Sequence, residues 1–451
     1  MPRYPTYDSL PQRSYTMKSY FRQWVTVCTL ALTPCTVSFA EDWRQWRGPA
    51  NDGHSNEKGI VTNWSIVPDV NWKTSLPGRG GSTPIVVDGR IFLTSGDAGD
   101  LVAMGLSSES GEVLWKTTIA TGDQPARGDE GNSASASPVS DGKHVWVFFS
   151  NGTLACLTVD GKEVWKFDVG ERFGALDIQF GLTSTPVLDG DHLYLQLIHG
   201  RMQRGDDTRT GQVVKLEKET GKTVWVHDRV TNADFECKHS YASPFIHREG
   251  KTEMLVVHGA DCITAHDLAT GKELWRFAEL NGPTRWNPKQ NDPTFRFVAS
   301  PLITRGRVIV PTAKEGPLVS LNLDQLKGDS SANPQAVAWV STKTPDVSIP
   351  IAVDNYIYLL QKDGRLQCVE WDTGKEVYLQ RVHSSQHRTS PVYADGHLYM
   401  ASSDGTVSVV KVGPEFKLVS SNNVGAPVTA SPVVSNGTLY IRSFEAIFAI
   451  R

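Results

Sequence analysis

The 451-residue sequence predicts an all-β fold, an eight-bladed β-propeller of four-stranded blades closed by pairing of strands from its two ends. Two observations carry the prediction: one short pattern recurs along nearly the whole chain, and its last copy lacks a strand whose orphan stands ahead of the first copy. The pattern is clearest at Ala265-His-Asp-Leu-Ala-Thr-Gly-Lys-Glu-Leu-Trp275. Thr270-Gly271 supplies a tight turn in which Gly271 can take positive φ, and the Asp267 carboxylate can accept backbone N–H bonds there. Ala265 leaves room for a neighbouring sheet, and Trp275 offers a large ring to fill it.

Each copy reads as strand, hairpin turn, strand, strand and Trp hairpin. The first runs from Ser82-Thr-Pro-Ile-Val-Val-Asp-Gly89 to Trp115, and the second from Ala136-Ser-Pro-Val139 to Trp165. The third opens at Ser184-Thr-Pro and ends at Trp225; the fourth opens at Ala242-Ser-Pro244 and ends at Trp275. The fifth starts at Ala299-Ser-Pro301 and reaches Trp339 only after a polar insertion, Asp324 to Gln335. In the sixth, Tyr378 stands at the Trp position, and in the seventh the reading places Leu418 there. The eighth opens at Ala430-Ser-Pro and stops at Phe448-Ala-Ile-Arg451, without a Trp strand. The orphan Val70-Asn-Trp72-Lys-Thr-Ser-Leu76 can supply it, and joining the ends hides sheet edges that an open array would expose.

Ahead of this propeller, residues 69–451, lie a leader at 41–68 and a targeting segment at 1–40. Lys18 and Arg22 precede the apolar run Trp24 to Leu32, and Ser38-Phe39-Ala40 has small residues where signal peptidase reads, so a cleavable signal peptide is expected. Its length is ordinary when counted from Met17, which points to Met17 as the natural start. Export to the periplasm or another extracytoplasmic space follows. Lys and Arg number 45 against 49 Asp and Glu with no basic block, which argues against nucleic acid as a partner. No apolar run reaches membrane-spanning length.

The Ala-x-Asp-x-x-Thr-Gly-Lys-Glu-Leu-Trp pattern and the Ser-Pro-Val-x-x-Asp-Gly openings resemble pyrroloquinoline-quinone-type (PQQ-type) repeats, from about Asp69 to Arg451. The resemblance implies a quinoprotein alcohol dehydrogenase-like fold with two kinds of member. Quinoprotein dehydrogenases hold the quinone and a calcium ion in the central channel, whereas BamB-like propellers are non-catalytic. The leader Asp42-Trp43-Arg-Gln-Trp46-Arg-Gly-Pro49 is similar to the start of exported bacterial PQQ-repeat proteins. Under this resemblance Trp72, Trp115, Trp165, Trp225, Asp267, Gly271, Trp275, Trp339 and Tyr378 are structural docking residues.

Chemistry is sought in the loops, because fold alone does not fix function. Connections between one copy's Trp strand and the next copy's first strand gather on one face with the middle hairpins. Those at 120–135, 170–183, 230–241 and 279–298 are long and polar, which predicts a groove offset toward the first five blades. Its expected ligand face comprises Arg127, Glu130, Asn132, Asp177, Gln179, Lys238, His239, Arg285, Trp286 and Arg296. No His-Glu-x-x-His, Cys-x-x-Cys or Gly-x-Ser-x-Gly occurs, and His199, His239 and His258 read as loop or core residues, so neither catalytic residues nor a metal site is expected. Cys237 and Cys262 fall on the same expected face, where a disulfide could form in an oxidising compartment; Cys156 and Cys368 read as buried thiols. The function expected is a monomeric scaffold for envelope or secreted proteins, without cofactor. The alternative is a PQQ-dependent alcohol or sugar dehydrogenase using calcium, against which weighs the absence of the adjacent cysteine pair that many such enzymes carry.

Overall fold

The computed structural model describes residues 13–14, 41–65, 69–122, 132–203, 211–249, 252–281, 296–314, 316–341 and 343–451. The chain divides into two units, Met1–Phe39 and Ala40–Arg451, and the second carries the fold. The expected signal peptide lies outside the described residues apart from Arg13 and Ser14.

Eight antiparallel sheets follow one another in chain order, as predicted. Blade 1 comprises Ile85–Val87, Arg90–Asp97, Asp100–Ser107 and Val113–Thr121, and the same four-strand meander repeats through blade 7, which ends with Lys417–Asn423. Blade 8 takes Val433–Ser435, Thr438–Arg442 and Ala446–Ile450 from the C-terminus and its outer strand, Val70–Ser75, from the leader side. Trp72 pairs with Ala449, and its ring lies 6.0 Å from that of Tyr440. The closure read from the orphan strand is therefore the one the chain makes. The seam is also clamped at its inner end, where the fully buried Arg442 donates to the Ser82 carbonyl at 2.7 Å and the Thr94 carbonyl at 2.5 Å in blade 1. Burial lowers this guanidinium to about 9.

The glycine of the repeated turn serves the preceding blade's tryptophan. Gly111, Gly161, Gly221, Gly271 and Gly374 all have positive φ. A Cβ on them would meet the rings of Trp72, Trp115, Trp165, Trp225 and Trp339 at 2.4, 2.5, 3.0, 2.7 and 2.4 Å respectively. Each indole N–H also donates to a carbonyl beside the same turn, as Trp115 does to Val159 at 2.8 Å and Trp339 to Trp371 at 2.9 Å. Glycine is thus required twice, for its backbone and for the flat contact its missing side chain permits. Asp267 accepts from the Ala269 and Thr270 N–H groups and the Thr270 hydroxyl, as its place in the turn suggested.

Trp275 has no such turn to meet. The blade-5 insertion covers it instead, with Gly328–Asp329 adding a short parallel strand to blade 4 in register with Trp275 and Arg276. Tyr378 does occupy the Trp position of blade 6, opposite Cys368, and meets the Phe416 ring at 5.6 Å. Blade 7 differs from the sequence reading. Ser420, opposite Val409, sits where the other blades place Trp, and Leu418 lies one bulge earlier and exposed. The leader makes up the loss: Ser420 donates to the Thr62 carbonyl, and Trp64, 6 % exposed, packs in the apolar core shared by blades 7, 8 and 1.

Candidate functional site: an axial cup floored by the leader

The segment that leads into each blade's first strand lines the central axis, and alternate residues along it face inward. Counting back from each opening proline, the first residue is Thr83, Ser137, Thr185, Ser243, Ser300, Ile349, Ser390 or Ser431. These form a belt in which one blade's N–H donates to the next blade's hydroxyl. Thr83 donates to Ser137 at 2.9 Å, Ser137 to Thr185 at 3.1 Å, Thr185 to Ser243 at 2.9 Å and Ser243 to Ser300 at 2.9 Å. The belt resumes from Ile349 to Ser390 at 3.1 Å, Ser390 to Ser431 at 3.0 Å and Ser431 to Thr83 at 3.3 Å. Only the link from blade 5 to blade 6 is missing, because Ile349 has no hydroxyl.

Two residues further back, a second tier, Gly81, Ser135, Thr183, Tyr241, Val298, Val347, Arg388 and Thr429, walls a cavity of about 220 Å³. All eight blades contribute to that wall. Of the connections expected to form an offset groove, those at 120–135 and 279–298 lie largely outside the described residues; the lining of this cavity follows position around the axis. Arg296, Asp346 and Lys362 line the same cavity, together with Phe180 and Phe444. Arg296 pairs with Glu236 at 2.7 Å and lies over the Phe180 ring at 4.8 Å, and Lys362 is 3.9 Å from Asp346. The Tyr241 hydroxyl is buried with the Phe180 backbone N–H facing its oxygen, and burial raises its pKa.

The floor comes from the leader, which crosses the lower face from blade 1 to blade 7. Trp43 exchanges backbone bonds with Val86, and Ser55 donates to the Tyr393 carbonyl at 2.9 Å. Between them Trp46 reaches the cavity, and the buried Arg47 fixes the crossing by donating to the Pro391 carbonyl at 2.8 Å. Further along, the Glu57 carboxylate accepts both N–H groups of the Asn436–Gly437 turn. The channel is thereby a cup, open toward the loop face and blind below.

Of the expected ligand face, Asn132 and Arg296 reach this cup. Arg127, Glu130, Arg285 and Trp286 lie outside the described residues. Asp177 and Gln179 are exposed beside the cup, with their N–H groups directed to His199 and His239 at 3.3 and 3.5 Å. Lys238 and His239 are fully buried, so they are core rather than surface; His239 bonds the Gly200 carbonyl at 2.9 Å and burial lowers its pKa. The Cys237–Cys262 bridge is not made. The Cys237 sulfur accepts from Asn281 Nδ2 at 2.7 Å, while Cys262 lies in the blade-4 sheet beneath Arg229 and is directed to the Ile263 carbonyl. What sequence reasoning missed is the second tier and Trp46. The signal was present, since every wall residue stands three places before an opening proline.

The fit of a quinone with calcium can be judged from the donors. Calcium takes roughly six to eight oxygens, yet Asp346 is the sole carboxylate in the described lining, and the Asn132 Oδ1 already accepts from Gly81 and Ala134 at 3.2 and 3.0 Å. No cluster of metal-ligating side chains occurs among the described residues. The described cup does not fit the pair.

Tryptophan-docked blades, end-to-end closure and an axial cup define a PQQ-type propeller. The chain belongs to the family described as outer membrane protein assembly factor BamB, whose model matches residues 69–201, 99–278 and 160–413. It is 24% identical over 291 residues to the outer membrane protein assembly factor BamB of Burkholderia pseudomallei, covering 49% of this chain and 72% of that one. It is 23% identical over 210 residues to a polyvinylalcohol dehydrogenase of a Pseudomonas species, covering 44% of this chain but only 30% of the dehydrogenase. A solved quinohemoprotein alcohol dehydrogenase of Comamonas testosteroni superposes with a TM-score of 0.64 at 14% identity over 90% of this chain and 80% of that one, which shows the shared fold.

Proposed function

We propose that this protein is an exported, non-catalytic propeller scaffold that binds protein partners of the cell envelope through the loop face around its cup, with no resident redox cofactor. The observation that carries this is the donor set of the cup: cations and aromatic rings converge there, but the described lining offers a single carboxylate. The family supports the same reading, since its name is that of an outer membrane assembly factor. Export is supported by the apolar run Trp24 to Leu32 and the small residues Ser38 and Ala40. Among the described residues no helix is long and apolar enough to cross a membrane.

A quinone-dependent dehydrogenase is the second reading, favoured by the Trp46 floor beneath Arg296, Lys362 and Arg388 and by the partial likeness to the polyvinylalcohol dehydrogenase. The scaffold is tested by placing a photo-cross-linking residue at Val347, on the cup wall, or at the exposed Asp191 on a lower hairpin, in cells of the source organism. A discrete envelope protein should be trapped from Val347 and not from Asp191. Trapping from neither position, or equally from both, would contradict it.

A further inference from the structure

We propose that the cup captures the C-terminal end of a partner chain, its terminal carboxylate held by Arg388 and Lys362 and its last side chain, an aromatic one, lodged between Tyr241 and Phe444 above Trp46. This rests on the scaffold reading and names the part of the partner that enters it. Five observations lead there. The cup is blind, so whatever enters must end there, which a chain terminus does and an internal segment does not. Its volume of about 220 Å³ lies below the ~300–1,000 Å³ of pockets that enclose drug-sized ligands, a size for one large terminal residue.

The cup brings the cations Lys362 and Arg388 together with the rings of Tyr241, Phe444 and Trp46. Lys362 is only loosely engaged by Asp346, at 3.9 Å, and Arg388 lies in the wall itself. A carboxylate entering between them meets two cations in a recess walled by low-dielectric rings, where charge-assisted hydrogen bonds are strongest. The buried Tyr241 hydroxyl supplies a further donor on the same wall. The belt hydroxyls below are engaged in bonds between blades, so the floor favours an apolar group over a second charge. Capture of a terminal carboxylate is an established mode of peptide recognition, and this geometry builds it on a channel axis.

The test uses a labelled glycine–serine peptide ending in phenylalanine, made as the free acid and as the C-terminal amide, with binding to the full chain read by fluorescence anisotropy. The free acid should bind at least about tenfold more tightly than the amide, as loss of a charge-assisted contact requires. Lys362→Gln with Arg388→Gln should remove that preference. Val298→Trp, which fills the cup without touching its charge, should abolish binding of both peptides, and an unchanged circular dichroism spectrum confirms that each variant is folded. Equal binding of acid and amide, no binding of the acid, or binding that survives Val298→Trp would overturn the proposal. If Val347 still traps an envelope protein while acid and amide behave alike, the scaffold stands and capture of a terminus falls; if neither is seen, both fall.

Discussion

Replacing Trp72 with alanine tests ring closure where only one strand provides it. The indole is half-buried, lies against Gly111 of blade 1 and Tyr440 of its own blade, and donates to the Ser108 carbonyl at 3.2 Å. Full truncation of a buried Trp costs about 3–5 kcal/mol; partial exposure lowers the packing share to roughly 2 kcal/mol, and the lost hydrogen bond adds about 1. The expected loss is therefore about 3 kcal/mol, against a total of only ~5–15 for a typical protein. Urea unfolding of wild type, Trp72→Ala and the interior control Trp339→Ala gives the comparison. Trp339 is 8 % exposed and should cost more, about 4 kcal/mol. Amide exchange should separate the two further, because Trp72→Ala frees the outer strand of blade 8 and should deprotect Ala446–Ile450, whereas Trp339→Ala should not. A loss below about 1 kcal/mol for Trp72→Ala, with those amides still protected, would refute the argument that this strand holds the ring shut.

Three further outcomes are expected. Gly111→Ala puts a Cβ 2.4 Å from the Trp72 ring, while Gly396→Ala, also at positive φ, meets nothing within 4 Å; the former should lower the melting temperature clearly more, and equal shifts would show that docking contributes nothing beyond backbone strain. Burial holds His258 near 3 and His266 and His387 near 4, below the ordinary 6.5, so the unfolded chain binds more protons in that window. Stability should thus be fully present above about pH 6.5 and fall toward pH 4, with a smaller fall for His258→Gln; a flat profile in urea midpoints would contradict this. Burial raises Cys156 and Cys368 to about 12 and Cys262 to about 11, so thiol reagents should spare them in native protein and reach all four of the described cysteines once it is denatured without reductant. Two fewer reactive groups would restore the Cys237–Cys262 bridge.

Much of this fold was legible because repetition turns weak local signals into a strong one. A single Thr-Gly turn before a Trp is only a hairpin; recurrence with Ser-Pro openings specified blades, and the orphan Trp72 strand specified their closure. The same repetition gave the inward-facing positions three before each proline, although the longer loops drew attention away from them. Loop length records exposed chain, not direction, which is why Asp177 and Gln179 stand exposed while Lys238 and His239 are buried. Trp46 and Trp64 could not be placed from sequence, since a leader outside the repeats has no register to inherit. Leu418 was misplaced by a bulge, a one-residue slip that alternation in an exposed edge strand does not correct.

The central claim, a binding cup without a redox cofactor, is tested most directly by titrating purified protein with pyrroloquinoline quinone and calcium while following quinone absorbance and dye-linked oxidation of alcohols and sugars. The described lining offers cations to a flat tricarboxylate, Arg296, Lys362 and Arg388, but only one carboxylate, Asp346, to the calcium that accompanies it, so neither saturable binding nor turnover is predicted. Stoichiometric binding with calcium-dependent turnover, lost in Trp46→Ala, would contradict the account and make the cup an active site.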